Sequence, residues 1–371
     1  MQKQQPVFFT ESSKNLGGQE LQLVQQMLEL GRRGIETALF CRNDSAIYTH
    51  ALQLGLRVVS TRFRNALDVR SIYTMYSYLL KDCPSTVICH SGHDSIISAL
   101  AVKLYRCISF GKFPRVIRMR TYQPGVPSAF PYNVLFDKTY TPSNYLRKQI
   151  LANRKIKPDQ IDVLYPGIDF SRLDSSAFER LPEDLVKWLE RVSGPLLVHG
   201  AMLRAEKGHS IILEALESLK VEMPNIHYLI VGDGPLRAEL ESMVRVKGLE
   251  QLVYFTGFIP NIGDVLRYAT LAVFPSIYDP LGMFQIEAQY LCIPTLAHNI
   301  GGIPETIQNN LTGRLVESGE PRVWCCEIKQ LLLNEGVRQR YSENSRQYVL
   351  KKFSVERNTG RLIEICLGRG A

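Results

Sequence analysis

With 371 residues, 45% of them hydrophobic and 22% charged, the chain exceeds the roughly 250–300 residues that one core sustains, so two domains are expected. No apolar run reaches the roughly 18 residues that would suggest a membrane span. The opening MQKQQPVFFTESS lacks the basic and apolar blocks of a signal peptide, which predicts a cytoplasmic chain, and the net charge of +8 favours an anionic partner.

In chain order, PVFFT reads as a buried strand and GQELQLVQQMLELGRRG as an amphipathic helix with Leu21, Val24 and Leu28 on its apolar stripe. IETALFC, LRVVS, STVICH and RVIRMR are further strands, separated by helical or loop sequence. Between Ser95 and Phe136 there is no acidic residue. Lys103, Arg106, Lys112, Arg115, Arg118 and Arg120 lie there among Tyr105, Phe110, Phe113, Tyr122, Phe130 and Tyr132. Such a mixture suits an anionic membrane surface, an anionic acceptor or nucleic acid, or simply a solvated basic face; no nucleic-acid recognition motif accompanies it. IDVLYPGIDFSRL closes the first alternation, with Gly167 expected in a backbone region other residues avoid. LPEDLVKWLERVSG then leads to a second alternation. Its strands are PLLVHG, HYLIVGDG, LVYFTGF, LAVFPS and PTLAHN, and its helices GHSIILEALESLK, PLRAELESMVRVKG, IGDVLRYA and LGMFQIEAQYLC. Strand–helix alternation of this kind predicts parallel sheets covered on both faces, hence two doubly wound α/β domains facing a cleft. The eight cysteines show no CxxC pair and no metal-ligand spacing, so they are expected to be small buried hydrophobes, with neither zinc nor disulfides.

Ligands of open parallel sheets bind beyond the carboxyl ends of the strands. Three strand-to-helix loops of the second half carry suitable chemistry. HGAMLRAEKGHS places Arg204 and Lys207 beside a helix start, where an anion would be met. IVGDGPLRAEL uses Gly232 and Gly234 for a tight turn. In PSIYDPLGMFQIEAQYL the amides of Leu281, Gly282 and Met283 are expected to face a phosphate, with Asp279 before them and Glu287 in the helix behind. Carboxylates accept hydrogen bonds well from vicinal hydroxyls. A phosphate flanked by two such acids describes a nucleoside diphosphate sugar.

The ordered set NLGGQE, YTPSNYLRKQI, EKGHSIILEAL, IVGDGPLRAEL, VYFTGFIPN and PSIYDPLGMFQIEAQYLCIPTLAHNIGGIPETI resembles the retaining GT-B glycosyltransferases of family 4, over nearly the whole chain. The resemblance implies two Rossmann-like domains: residues 1–183 with the tail helix 354–371 for the acceptor, and residues 184–353 for the donor. It implies sugar transfer from a nucleoside diphosphate sugar, UDP-sugars somewhat favoured, to a glycan or lipid-linked acceptor in lipopolysaccharide or another cell-envelope pathway. Transfer would keep the anomeric configuration and need no metal or other cofactor, at the inner face of the cytoplasmic membrane. The family's Glu-x7-Glu pair falls on Asp279 and Glu287, with Asp shortening the first acid by one methylene. Lys207 matches the lysine that neutralises the diphosphate. The arginine that usually precedes it is replaced by Met202, leaving Arg204 as a substitute. By the same resemblance Gly17 and Gly18 approach the donor, His93 touches a sugar, and Phe258 and Ile259 contact the base; Glu20 is assigned to the acceptor, and Arg118 and Arg120 either meet an anionic acceptor or belong to the basic face. Two other readings of the same architecture are a catalytically inactive sugar-nucleotide-binding scaffold and a sugar-nucleotide epimerase.

Overall fold

The computed structural model describes residues 5–109, 113–123, 125–174 and 181–367. Phe110 and Lys112 of the acid-free segment lie outside these. The chain divides into two compact units, one running to Asp169 and resuming at Phe353, the other spanning Phe170–Lys352.

The first unit contains strands β1 (Val7–Glu11), β2 (Thr37–Cys41), β3 (Val58–Ser60), β4 (Thr86–Cys89), β5 (Arg115–Met119), β6 (Lys138–Thr141) and β7 (Ile161–Val163). They form one sheet in the order β3-β2-β1-β4-β5-β6-β7, with every pair parallel. Its helices are α1 (Gly18–Arg32), α2 (Ala46–Gln53), α3 (Val69–Asp82), α4 (Gly92–Ile108) and α5 (Asn144–Leu151). In the second unit β8 (Leu196–Gly200), β9 (His227–Val231), β10 (Val253–Gly257), β11 (Leu271–Phe274), β12 (Thr295–His298) and β13 (Arg314–Val316) pair in parallel in the order β10-β9-β8-β11-β12-β13. Helices α6 (Glu183–Leu189), α7 (His209–Glu222), α8 (Arg237–Val246), α9 (Gly263–Leu266), α10 (Phe284–Tyr290), α11 (Pro321–Leu333) and α12 (Glu335–Phe353) accompany it, and α13 (Val355–Leu367) belongs to the first unit. The expected doubly wound arrangement is therefore present twice.

Period-two alternation explains how each sheet is buried on both faces. Val7 and Phe9 join Leu23, Met27 and Leu30 of α1 and Leu362 and Ile365 of α13 in one core. Phe8 points the other way, to Phe40, Met75, Leu79 and Val102. A core around Tyr228, Trp324 and Tyr341 fills one face of the second sheet.

Three expectations need correction here. Gly167 does not adopt a positive φ; its missing side chain makes room for α13, since a Cβ would lie 3.0 Å from the Val355 Cα. The first boundary falls after Asp169 and not after 183, because Phe170 stacks on Tyr290 (4.4 Å, 7°) and Asp174 accepts a hydrogen bond from the Tyr290 hydroxyl at 2.8 Å, within the second unit. Cys41, Cys89 and Cys366 are buried as expected, whereas Cys83, Cys107 and Cys326 are exposed, all as free thiols.

Candidate functional site

In each sheet the winding reverses between two neighbouring strands, β8 and β11 in the second unit, the place beyond which ligands of open parallel sheets bind. The loop after β8 runs to Gly208, whose φ of +70° and close packing exclude a side chain: a Cβ there would meet the Pro275 carbonyl oxygen at 2.2 Å. The loop after β11 is thereby held against the first, and the Ile277 amide donates to the Glu206 carbonyl at 2.9 Å. Across this seam Lys207 Nζ donates to Asp279 Oδ2 at 2.7 Å, with the two side chains 24% and 14% exposed. The other Asp279 oxygen accepts from the Leu281 amide at 3.1 Å. That amide thus serves the acid, not a phosphate as expected. The two residues singled out for diphosphate and sugar are brought together and bound to each other.

A second loop fixes the acid from behind. Gly302 N donates to the Asp279 carbonyl at 2.9 Å, and a Cβ on Gly302 would lie 1.9 Å from the Pro280 carbonyl oxygen. Gly282 has φ +84°, and Gln285, anchored on the Leu281 carbonyl, occupies the space its side chain would take. Gly232 (φ +133°) packs its backbone on Ala201, where a Cβ would stand 2.2 Å from the carbonyl oxygen, so it supports the Lys207 loop. Met283 caps α10. Glu287 projects from α10, is 7% exposed and forms an ion pair with Arg172. Burial raises its pKa, while the Arg172 charge and hydrogen bond pull it down. Arg204 is half-exposed and only 3.9 Å from Glu206, while Phe258 is 78% exposed beside the half-buried Ile259. Beneath Lys207 the rings of His199 and His209 stack at 4.1 Å. Burial holds His209 down at about 4, and His199 well below its ordinary value.

In the first unit the corresponding reversal lies between β1 and β4. Gly17 and Gly18 open α1 with Gly17 in ordinary extended backbone, and Glu20 accepts the Gly17 amide at 2.9 Å. Glu20 is therefore a helix-capping carboxylate, committed to the backbone. His93 lies exposed in the first turn of α4. Its neighbour His90 is buried and held down at about 4 by burial, against a hydrogen bond with the Thr10 carbonyl. Arg118 is a further correction: it is 8% exposed and covers Phe136 and Tyr132, its guanidinium carbon 5.1 and 5.5 Å from the ring centres. It faces no acceptor in this arrangement. Arg120 donates to Gln123 at 3.3 Å, Arg106 pairs with Asp137 and Arg115 donates to the Ile365 carbonyl, so much of the basic segment is engaged internally.

The sequence reading misses a buried acidic pair here. Glu11, at the end of β1, accepts from the Ser13 amide at 2.8 Å, from Gln19 Nε2 at 2.7 Å and from Ser91. Asp94 accepts from Thr10, Ser12 and the His90 amide at 2.7, 2.9 and 3.1 Å. Both acids are fully buried, and burial, then the Asp94 charge, push Glu11 up to about 7. Among the described residues no group of three or more His, Cys, Asp or Glu is placed to hold a metal ion, and no helix is long and apolar enough to cross a membrane.

Residues 16–172 match the family model Glycosyltransferase Family 4, and residues 182–348 match Glycosyl transferases group 1. A curated relative, the alpha-D-kanosaminyltransferase of Streptomyces kanamyceticus, is 29% identical over 163 residues, 43% of this chain and 42% of its own length. The chain spans about half the length of the curated relatives it matches. Among solved structures, Anabaena Alr3699/HepE in complex with UDP aligns over 98% of this chain and all of its own, with a TM-score of 0.82 at 18% identity. The lipopolysaccharide outer core galactosyltransferase WaaB aligns over 98% of this chain and 99% of its own, with a TM-score of 0.73 at 16% identity. At these identities the structural likeness establishes the fold.

Proposed function

The chain belongs to the GT-B glycosyltransferases of family 4, and from that membership we propose that it moves a hexose-type sugar from a nucleoside diphosphate sugar to a glycan or glycolipid acceptor, with retention of configuration. The observation that carries the donor half is the Lys207–Asp279 pair at the strand reversal, with Glu287 on the next helix. Lys207 is the cation for the diphosphate, Asp279 the acid nearest the sugar, and Glu287 the acid for the ribose hydroxyls. Arg204, the Gly232 turn, Phe258 and Ile259, and the Gly282–Met283 backbone complete the donor contacts. In the first unit, Gly17, Gly18 and the exposed His93 meet the sugars, and Arg120 remains for the acceptor.

In the transfer the bond from the anomeric carbon to the diphosphate oxygen breaks, and the acceptor oxygen bonds to the same face. The acceptor proton passes to the departing diphosphate oxygen. Catalysis then rests on stabilising the charge that develops on that oxygen, the role given to Lys207, and no metal is invoked. A UDP-sugar is the favoured donor, in keeping with the UDP held by the Anabaena protein. A cell-envelope glycan, lipopolysaccharide among them, is the proposed product, in keeping with the likeness to WaaB. Work at an anionic membrane surface fits the exposed apolar side chains Ile108, Phe113, Val126 and Phe130 of the acid-free segment.

The test is thermal stability of the purified chain against UDP-, GDP- and ADP-sugars, with Lys207→Ala alongside. A selective rise in melting temperature that the variant loses is expected. No rise with any donor would sink the reading in favour of an inactive scaffold.

A further inference from the structure

Glu287 is assigned to the ribose, and a carboxylate that buried needs a partner to stay charged. Its side chain is 9% exposed on a helix packed against β11, β12, α9 and the Phe170–Leu173 turn. A carboxylate removed from water neutralises unless a counterion and hydrogen bonds hold it. Arg172, on that turn, supplies both.

The turn is fastened on either side of Arg172. Phe170 stacks on Tyr290 three residues along α10 from Glu287, Leu173 is fully buried, and Asp174 accepts from the Tyr290 hydroxyl. Arg346 of α12 lies over the Tyr290 ring, 4.3 Å from its centre. Charged groups on the neighbouring elements include Asp264 on α9, Asp279 in the preceding loop with Lys207 bound to it, Asp174 and Arg346; the one that offsets burial at Glu287 is Arg172. Arg172 itself is 46% exposed.

We propose that Arg172 is a positioning residue for the donor, holding Glu287 ionised and aimed so that its carboxylate can accept hydrogen bonds from the vicinal ribose hydroxyls of a nucleoside diphosphate. The inference rests on the donor reading above. It assigns a role in nucleotide recognition to a residue 115 positions before the acid it serves. A neutral Glu287 would offer one acceptor oxygen and a competing donor where the ribose needs two acceptors.

The experiment is calorimetric titration of UDP, and of 2′,3′-dideoxy-UDP, into wild type, Arg172→Gln, Arg172→Lys and Glu287→Gln between pH 6 and 8.5. Wild-type affinity for UDP is expected to change with pH only as the terminal phosphate ionises, a change that dideoxy-UDP shares. Arg172→Gln is expected to lose about tenfold or more at the acid end and to recover as pH rises, because the unpaired Glu287 ionises later. Arg172→Lys should regain part of the loss, and Glu287→Gln should be weak at every pH. With dideoxy-UDP the four proteins should bind alike. An equal loss for both nucleotides, or a loss independent of pH in a variant that melts earlier, would overturn the inference in favour of a purely structural pair. Unchanged UDP affinity in Arg172→Gln would overturn it too. If wild type does not bind UDP, the UDP-sugar donor reading itself fails and takes this inference with it; that result shows in the wild type and not in the variants.

Discussion

The stacked imidazoles beneath Lys207 make the second unit sensitive to acid. His199 Nδ1 shares a hydrogen bond with the Tyr228 hydroxyl at 2.9 Å, while its Nε2 and both ring nitrogens of His209 have no partner among the described residues. Burial, then the Lys207 charge, hold His209 down at about 4, against an ordinary value of 6.5. A depressed histidine is neutral in the fold and charged in the unfolded chain below 6.5. Its stabilising contribution is therefore present above 6.5 and lost as pH falls toward 4. Between pH 7 and 5 the unfolded imidazole takes up most of a proton and the folded one almost none. At about 1.4 kcal/mol per pH unit the loss is about 2 kcal/mol for His209 alone. His199 shifts in the same direction, and the raised Glu287 opposes both. The test is therefore a difference between wild type and His209→Leu. The chain has two tryptophans, Trp188 and Trp324, and both lie in the second unit, so their fluorescence in urea follows that unit alone. The leucine variant should gain about 2 kcal/mol on wild type when the pH is lowered from 7 to 5. A difference that stays within about 0.5 kcal/mol at the two pH values would refute the reasoning, because distant titrating groups cancel at that level.

In the first unit the shifts oppose each other. Glu11, raised to about 7, contributes stability below its unfolded value that is lost as pH rises through 7, and burial raises Asp94 in the same direction; His90, lowered to about 4, does the reverse. In hydrogen exchange of the β1 and β2 amides, Glu11→Gln should lose about 2 kcal/mol relative to wild type when the pH falls from 7 to 5; a variant that tracks wild type would contradict this. Gly302→Ala forces a Cβ to 1.9 Å from the Pro280 carbonyl oxygen and must displace the loop that carries Asp279. It should cost about 1–3 kcal/mol in urea unfolding and abolish the UDP-sugar melting shift, and an unaltered shift would show that the clamp is dispensable. Sedimentation with anionic vesicles should show binding that persists at high salt, since Arg106, Arg115 and Arg118 are engaged internally and the exposed side chains are apolar. Binding that salt abolishes would return the weight to a basic face.

The sequence made most of the strands and the donor loops legible, because a buried parallel strand followed by glycine and an amphipathic helix announces itself at every repeat. Strands β6 and β13 escaped because KTYT and RLV are short and carry too little apolar pattern. Glu20 could have been read as a cap from its position three residues after Gly17. Arg118 was misplaced for a reason the fold supplies: in a central parallel strand both faces are covered, so a long basic side chain there is buried however charged its segment is. Arg172 carried no local signal, since its partner lies on a helix in another part of the sequence.

Glu11 is the instructive omission. Taken alone, an acid at the end of VFFTE looks like a strand finishing in solvent. The first sheet, however, reverses between β1 and β4, as the second does between β8 and β11. The loops after β8 and β11 carry Lys207 and Asp279 into contact. By the same geometry the helix starts that follow β1 and β4 bring Gln19 and Ser91 together, and they meet on Glu11. Strand order alone would thus have pointed to the end of β1 as a place where polar side chains converge. Order is set by long-range packing, and it becomes visible only when the two sheets are laid beside each other.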